Sequence, residues 1–429
     1  MKIANASLLS GTPLREVALE IVDAGLCAID TRLAITSRTC IEGDDFVVDS
    51  IRFPLPKGKL LVLGAGKCSA DALLALSEVL GDRLTAGFVI DVIERPAPLR
   101  CMIVKGDHPY PSEMNVAHTR QLLALLSNLS PDDAVIFIVS GGGTVLLAQP
   151  PSGFSATDEA MLVKLLFKGG ATIHEMNTVR KHLSRARGGF LAEKAYPARS
   201  LALVFSDVPG NDINFISSGP TVRDTTTLSD ARRLIEQFGN GSPEATRASS
   251  ALLETPKDEK FFANAQTILF VSNRIALDAM AKVATARGFA PTIVTDDLCG
   301  IARTVGERIA LDIGSAKEKT CLLYGGETTV RIVGTGTGGR NRELALGALA
   351  TLTPGCLVTA VASDGIDNGP RAGALVDSSV AQKAKELSMS PQAYLSNNDS
   401  HSFFESVGTS LSTGPTGSNV ADLVCALKS

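Results

Sequence analysis

The chain has 429 residues, of which 45% are hydrophobic and 20% charged, with a formal net charge of −4. That composition can bury the cores of two or three domains, and its mild acidity excludes a bulk attraction for nucleic acid or an anionic membrane. Any bound anion must therefore be met by a local site, and with no Trp and 4 Tyr the composition also argues against a base-stacking surface. The 8 cysteines form no Cys-x-x-Cys pair and show no zinc spacing, as in a reduced cytosolic protein. The N-terminus lacks the apolar core of a signal peptide, and no apolar run approaches membrane-spanning length, so a cytoplasmic location is expected.

In chain order, residues 12–32 predict an opening helix. KLLVL (59–63) predicts a strand that turns into a helix over 67–80. Strands are expected at 86–91 and 101–104, and the spacing of Val116, Leu122, Leu123 and Leu126 predicts a helix over 113–128. AVIFIV (134–139) is a continuous apolar run, as in a strand covered on both faces. Helices follow near 157–167, 175–184 and 188–196, then a buried strand at 200–206. From about 222 to 264 the composition turns polar outside one or two short helices, and Gly-Asn-Gly-Ser-Pro and Thr-Pro-Lys-Asp turns mark a connector. A second series begins at TILFVS (267–272), with helices expected at 273–287, 300–313 and 341–351 and strands at 291–295, 320–324, 328–333 and 357–362. A last helix is expected after Asn419. The alternation predicts stacked βα units in two α/β domains, with a boundary near 240–265 and a cleft between them as the default site.

Glycine loops and misplaced charges carry the chemistry. Gly64-Ala65-Gly66-Lys67 joins a strand to a helix, and a cation there opposes the helix dipole unless an anion answers it. Leu61 stands where a P-loop needs its first glycine, and Ser69 where a dinucleotide fingerprint needs its third. Ser140-Gly141-Gly142-Gly143-Thr144 follows a buried strand directly and offers consecutive N–H groups as an anion nest. Arg180, Lys181, Arg185 and Arg187 crowd one segment with Asn177 and Thr178. A charge run is ordinarily a solvated face, but this one repels itself unless carboxylates or a ligand offset it. Asp207 follows a buried strand, where an acid can accept a proton from a hydroxyl or hold a metal. Further on, Gly325-Gly326-Glu327 and Gly338-Gly339-Arg340-Asn341 place a second cation at a helix start, and Asp364 and Asp367 follow a strand. This constellation suits a polyphosphate, with an acid to activate the attacking hydroxyl.

At these residues the chain resembles the glycerate kinases that phosphorylate the 2-hydroxyl, whose C-terminal part is the MOFRL domain and which are sometimes called hydroxypyruvate reductases. The resemblance rests on GAGK (64–67), GDHPYP (106–111), SGGGT (140–144), GATIHEMNTVRKHLSRARGG (170–189), SDVPGNDINFISSGPT (206–221), GGETTV (325–330), GGRNREL (338–344), SDGIDNGP (363–370) and TGPTGSNVADL (413–423), among others. It implies a Rossmann-like N-terminal domain with a parallel sheet (1–240), a connector (241–264) and a smaller mixed-sheet MOFRL-type domain (265–429), with the active site in the interdomain cleft. It also implies ATP-dependent phosphorylation of D-glycerate to 2-phosphoglycerate with Mg²⁺. By this resemblance Lys67 and Arg340 engage the ATP phosphates, and Asp207 is the base or positioning group for the glycerate hydroxyl. Gly64, Gly66, Ser140, Gly141, Gly142, Gly143, Glu327 and Gly339 are the candidate nucleotide-binding residues. Asn177, Arg180 and Lys181 are candidates for the substrate, and Asp207 and Asp364 for the metal. Cys68 and His401 depart from the small and aromatic residues usual at their positions. Neither nucleic acid nor membrane is an expected partner, and a homodimer is left open. Two other readings stand beside this one: an NAD(P)H-dependent hydroxypyruvate reductase, and a non-catalytic anion-sensing module.

Overall fold

Strands that are apolar on both faces set the frame of each half of this chain. The structure, a computed structural model, describes all 429 residues apart from the side chain of Pro209. Its contacts divide the chain into two units, one of Ala34–Ser206 and Asn211–Phe270, the other of Met1–Leu33, Asp207–Gly210 and Val271–Ser429.

The first unit opens with an antiparallel meander of β1 (Thr39–Glu42), β2 (Asp45–Val48) and β3 (Ile51–Pro54), which the sequence reading missed because its strands are so short. The main sheet follows, built from β4 (Leu60–Ala65), β5 (Ala86–Asp91), β6 (Cys101–Lys105), β7 (Ala134–Ser140), β8 (Arg199–Phe205) and β9 (Ala265–Val271). Its order is β6-β5-β4-β7-β8-β9, and β4 runs parallel to both β5 and β7. This is the doubly wound order of dinucleotide-binding sheets, so the Rossmann-like expectation holds. Every residue of β4 and β7 is buried, as central parallel strands require.

The stretch expected to be a connector is part of this unit's core. Helices Leu228–Phe238 and Pro243–Ala251 pack on helices Ala156–Lys168 and Ile173–Lys181. Leu162, Leu166, Val179, Leu183, Leu234, Ile235, Ala245 and Ala248 share one apolar cluster. The polar composition reflects outward faces, while Ala231, Leu234 and Ile235 form an inward stripe. Thr227 and Asp230 close a capping box at the first of these helices. TILFVS does not open the second series either: it lies in β9, beside β8.

The second unit carries a mixed sheet, as expected. It comprises β10 (Ala290–Leu298), β11 (Thr320–Gly326), β12 (Cys356–Ala362), β13 (Gly373–Asp377), β14 (Ser410–Leu411) and β15 (Asp422–Lys428), in the order β10-β11-β15-β12-β13-β14. The β10–β11 pair is parallel and the others are antiparallel. The last helix predicted from sequence is instead β15, buried along nearly its whole length between β11 and β12. DLVCALK is apolar on both faces, and at that length periodicity does not separate a buried strand from a buried helix. The strand predicted at 328–333 is also absent. Thr329 makes a single bridge to Ile301, and the Val333 and Gly334 N–H groups donate to the Asn398 side chain instead of to a strand.

Residues 1–33 join this second unit, which departs from the boundary expected at 240–265. Helix Pro13–Ala28, capped by Thr12, packs on helix Asn273–Ala286. A Cβ on Gly25 would lie 2.8 Å from Met280 Cγ and 3.3 Å from Leu423 Cδ1, so the helix packs close beneath these two side chains, which a larger residue would have to push aside. Arg15 then pairs bidentately with Asp377, at 2.7 and 2.9 Å.

Because Leu234 is buried, Leu234→Ala should cost about 2–5 kcal/mol, measured by urea or thermal unfolding. A change within about 0.5 kcal/mol, as at an exposed linker site, would contradict its place in the core.

Candidate active site

In the first unit the strand order reverses between β4 and β7, and both strands end in a glycine loop. Open α/β sheets place ligands at such a switch point, beyond the carboxyl ends of the strands. The two loops touch through backbone. Lys67 N–H donates to Gly141 O at 2.9 Å, while Gly66 N–H donates to Ile90 O of β5 at 3.1 Å. Gly66 has φ +141°, and a Cβ on it would overlap Ser140 Oγ and lie 2.6 Å from Ser140 O. Ser217 Oγ donates to that same Ser140 carbonyl at 2.6 Å. Gly64 is equally tight, 2.6 Å from Ile138 Cβ for an added Cβ.

Lys67 itself is exposed. A Cβ on Gly142 would lie 3.3 Å from Lys67 Cγ and 3.5 Å from His108 Cδ2, so both side chains run along the second glycine loop. Burial, then the charges of Lys67 and Arg180, holds the His108 imidazole below its ordinary pKa. It is therefore neutral at pH 7 beside two cations. In sequence His108 lies within GDHPYP (106–111), where no local signal marks it for a role.

The crowded cations of the third motif are offset mainly by carboxylates. Glu159 receives Arg180 Nε at 3.0 Å and the two terminal nitrogens of Arg187 at 2.8 and 3.2 Å. Burial opposes the charge on Glu159, yet the two guanidiniums outweigh it and hold the carboxyl below its ordinary range. Burial likewise pulls Arg180 down to about 10, against the pull of Glu159, and leaves it charged at neutral pH. Lys181 is buried and donates to Asp224 at 3.1 Å. Asn177 accepts from Ser218 Oγ at 3.5 Å, and Ser218 pairs with Thr144 Oγ1 at 3.0 Å. Of the four cations only Arg185 is exposed. Glu159 and Asp224, which lie far from the cations in sequence, were missed because only the fold brings them close.

Asp207 lies two residues beyond the end of β8 and is partly buried. In the second unit, β11 ends in Gly325-Gly326, and Glu327 follows. Helix Arg340–Leu349 has Gly339 at its N-cap and no cap from its own side chains. Asp367 supplies one instead, accepting from Asn341 N–H and Arg342 N–H at 3.0 Å each. A Cβ on Gly339 would overlap that carboxylate. Arg340 is held by two further acids. Its Nε and one terminal nitrogen donate to Asp422 at 2.6 and 3.0 Å, and its other terminal nitrogen forms an ion pair with Glu327 at 2.7 Å. Asp422 was overlooked because the expected helix there concealed its place at the start of β15. Asp364 is partly buried and accepts from Ile366 N–H at 2.9 Å. Among the described residues no three His, Cys, Asp or Glu side chains gather as a metal cage, and no helix is long and apolar enough to cross a membrane.

Fold and loops thus define a two-unit α/β protein with two glycine loops meeting at the switch point of a Rossmann-ordered sheet. Residues 17–258 match the domain of unknown function DUF4147, and residues 320–422 match the MOFRL family. A D-glycerate 2-kinase of Thermotoga maritima is 35% identical over 96% of this chain and 98% of its own. A protein of Agrobacterium vitis named "Putative hydroxypyruvate reductase" is 36% identical over 95% and 93%. The crystal structure of a T. maritima glycerate kinase superposes with TM-score 0.87 at 34% identity, covering 97% of this chain and 99% of that one. A Pyrococcus horikoshii structure gives 0.86 at 31% identity over 98% and 99%. The chain belongs to the glycerate 2-kinase family.

The buried Glu159 makes a stability prediction. Its folded pKa lies below the ordinary 4.5, so its contribution is fully present above about pH 4.5 and fades as pH falls through the folded value. Glu159→Gln leaves two guanidiniums uncompensated and should cost about 3–5 kcal/mol near neutral pH. The difference from the parent protein should narrow in acid, as followed by unfolding across pH.

Proposed function

We propose that this protein transfers the γ-phosphoryl group of ATP to the 2-hydroxyl of D-glycerate, giving 2-phosphoglycerate and ADP. Family membership supports the substrate. The geometric observation that carries the phosphate half is Lys67. It stands exposed along a glycine loop at the switch point, with no ion pair among the described residues. The cation at the second helix start, Arg340, is already held by carboxylates.

In this reading the N–H groups of Gly141, Gly142 and Gly143 and the Lys67 ammonium receive phosphate oxygens. Gly64 and Gly66 let the first loop lie against Ser140, so the donors are fixed before the ligand arrives. The glycerate 2-oxygen forms a bond to the γ-phosphorus as the bond to the ADP oxygen breaks. Asp207 accepts or orients the hydroxyl proton. Asn177 and Arg180 are the candidates for the substrate carboxylate, whereas Lys181, enclosed with Asp224, acts at most through its neighbours. Mg²⁺ bound to phosphate oxygens needs only one or two protein carboxylates, a role open to Asp207 or Asp364, and would neutralise charge on the transferring group. The reductase reading has less support, since Ser69 replaces the third fingerprint glycine.

Incubation with ATP, Mg²⁺ and D-glycerate, with NMR assignment of the phosphorylated carbon, tests reaction and regiochemistry together. NADH oxidation with hydroxypyruvate in the absence of ATP would favour the reductase. Lys67→Ala and Arg340→Ala should each lower turnover about 10²–10³-fold. Asp207→Asn should keep nucleotide binding while turnover collapses. Near-parental turnover in all three variants would overturn these roles.

A further inference from the structure

Arg340 carries more fixed charge around it than a phosphate-binding arginine needs, and its two partners are unlike. Asp422 takes the Nε edge bidentately, and its side chain is 4% exposed at the start of β15. Glu327 takes the other terminal nitrogen through one oxygen, and its side chain is 46% exposed. A buried bidentate pair is costly to open, because it strands a charge away from water. A half-exposed monodentate pair is screened and contributes little. A guanidinium has five N–H donors, and Asp422 takes two of them, leaving three on the side that faces Glu327 only through an ion pair. An incoming anion can therefore displace Glu327 far more easily than Asp422.

We propose that Asp422 is a positioning residue that locks Arg340 in place, and that Glu327 is a surrogate anion which a phosphate group of the nucleotide displaces. The inference rests on the kinase reading for its ligand and deepens the assignment of Arg340. It explains how a cation can stand at a helix N-terminus before any nucleotide binds. Asp367 satisfies the N–H groups of that terminus, Asp422 fixes the guanidinium edge, and Glu327 covers the remaining side until a stronger anion arrives. The arrangement also keeps the arginine's rotamer ordered, so little entropy is lost when phosphate binds.

The charged groups around Asp422 are Arg340 on its helix, Glu327 beyond β11 and Asp367 in the turn after β12. Arg342 pairs in turn with Asp367 at 3.1 Å, and its terminal nitrogen meets His401 Nδ1 at 2.6 Å. Burial pushes Asp422 up to about 6, with Arg340 opposing it. As pH falls through that value the carboxyl takes a proton, and the lock on Arg340 loosens.

The test is calorimetric binding of ATP and of inorganic tripolyphosphate to the full-length protein, with no glycerate present. Glu327→Gln removes the competitor and should tighten both ligands about threefold to fivefold. Asp422→Asn should weaken both at least about tenfold. The parental protein should lose affinity below about pH 6 more steeply than Asp422→Asn does. If Asp422→Asn does not fold, the Glu327→Gln arm decides alone, since that residue is half exposed. Unchanged or weaker binding by Glu327→Gln overturns the proposal, as does parental binding by a folded Asp422→Asn. Binding that follows the expected pattern without glycerate phosphorylation would overturn the kinase reading and leave this inference standing.

Discussion

The first unit depends on one close approach, the loop after β4 lying against the loop after β7. Gly66 touches Ser140 where no side chain fits, and Lys67 N–H then bonds to Gly141 O. That contact fixes two runs of backbone N–H groups at the switch point without help from a ligand. Preorganisation of this kind is what a phosphoryl-transfer site requires, because donors that must first be ordered contribute less to the transition state. Ser217, bonded to the Ser140 carbonyl, braces the same contact from a third segment. The glycines at the ends of both strands are thus the residues that let this single close approach form.

Charge is managed in the opposite way, by redundancy. Two buried arginines share Glu159, a buried lysine meets Asp224, and Arg340 meets both Asp422 and Glu327. Buried ion pairs add little net stability, but they hold long side chains in one rotamer and keep cations charged away from water. Lys67 stands outside this scheme, exposed on its loop. The contrast separates cations already held by carboxylates from Lys67, which has no ion pair among the described residues.

Much of this was legible in the sequence because the relevant signals are local. AVIFIV reads as a strand covered on both faces and KLLVL as a strand, and the glycine runs that follow them mark the loops. The exceptions share a physical cause. One or two short helices were legible in the polar stretch from 222 to 264, but not their place in the core, because their apolar residues occupy only a narrow inward stripe. DLVCALK is too short and too uniformly apolar for periodicity to distinguish β15 from a helix. The partners of the cations were not legible at all: Glu159, Asp224 and Asp422 lie tens of residues from the charges they meet, and no spacing rule connects them. Likewise the place of residues 1–33 depends on Gly25 and Arg15 meeting Met280 and Asp377, a contact between distant stretches of chain.

The position of β15 has a consequence for how the molecule is made. It is the last strand of its sheet in sequence, yet it fills the centre, bonded to β11 on one side and β12 on the other. Until those residues leave the ribosome, two inner edges stand open with unpaired backbone groups, the kind of template that recruits stray strands. Helix Pro13–Ala28 waits still longer, since it emerges first and its partner helix begins only at Asn273. The six-stranded parallel sheet, by contrast, has all its strands by residue 271. Nascent chains should therefore carry one finished half and one vulnerable half, and cellular folding assistance should matter most for the second.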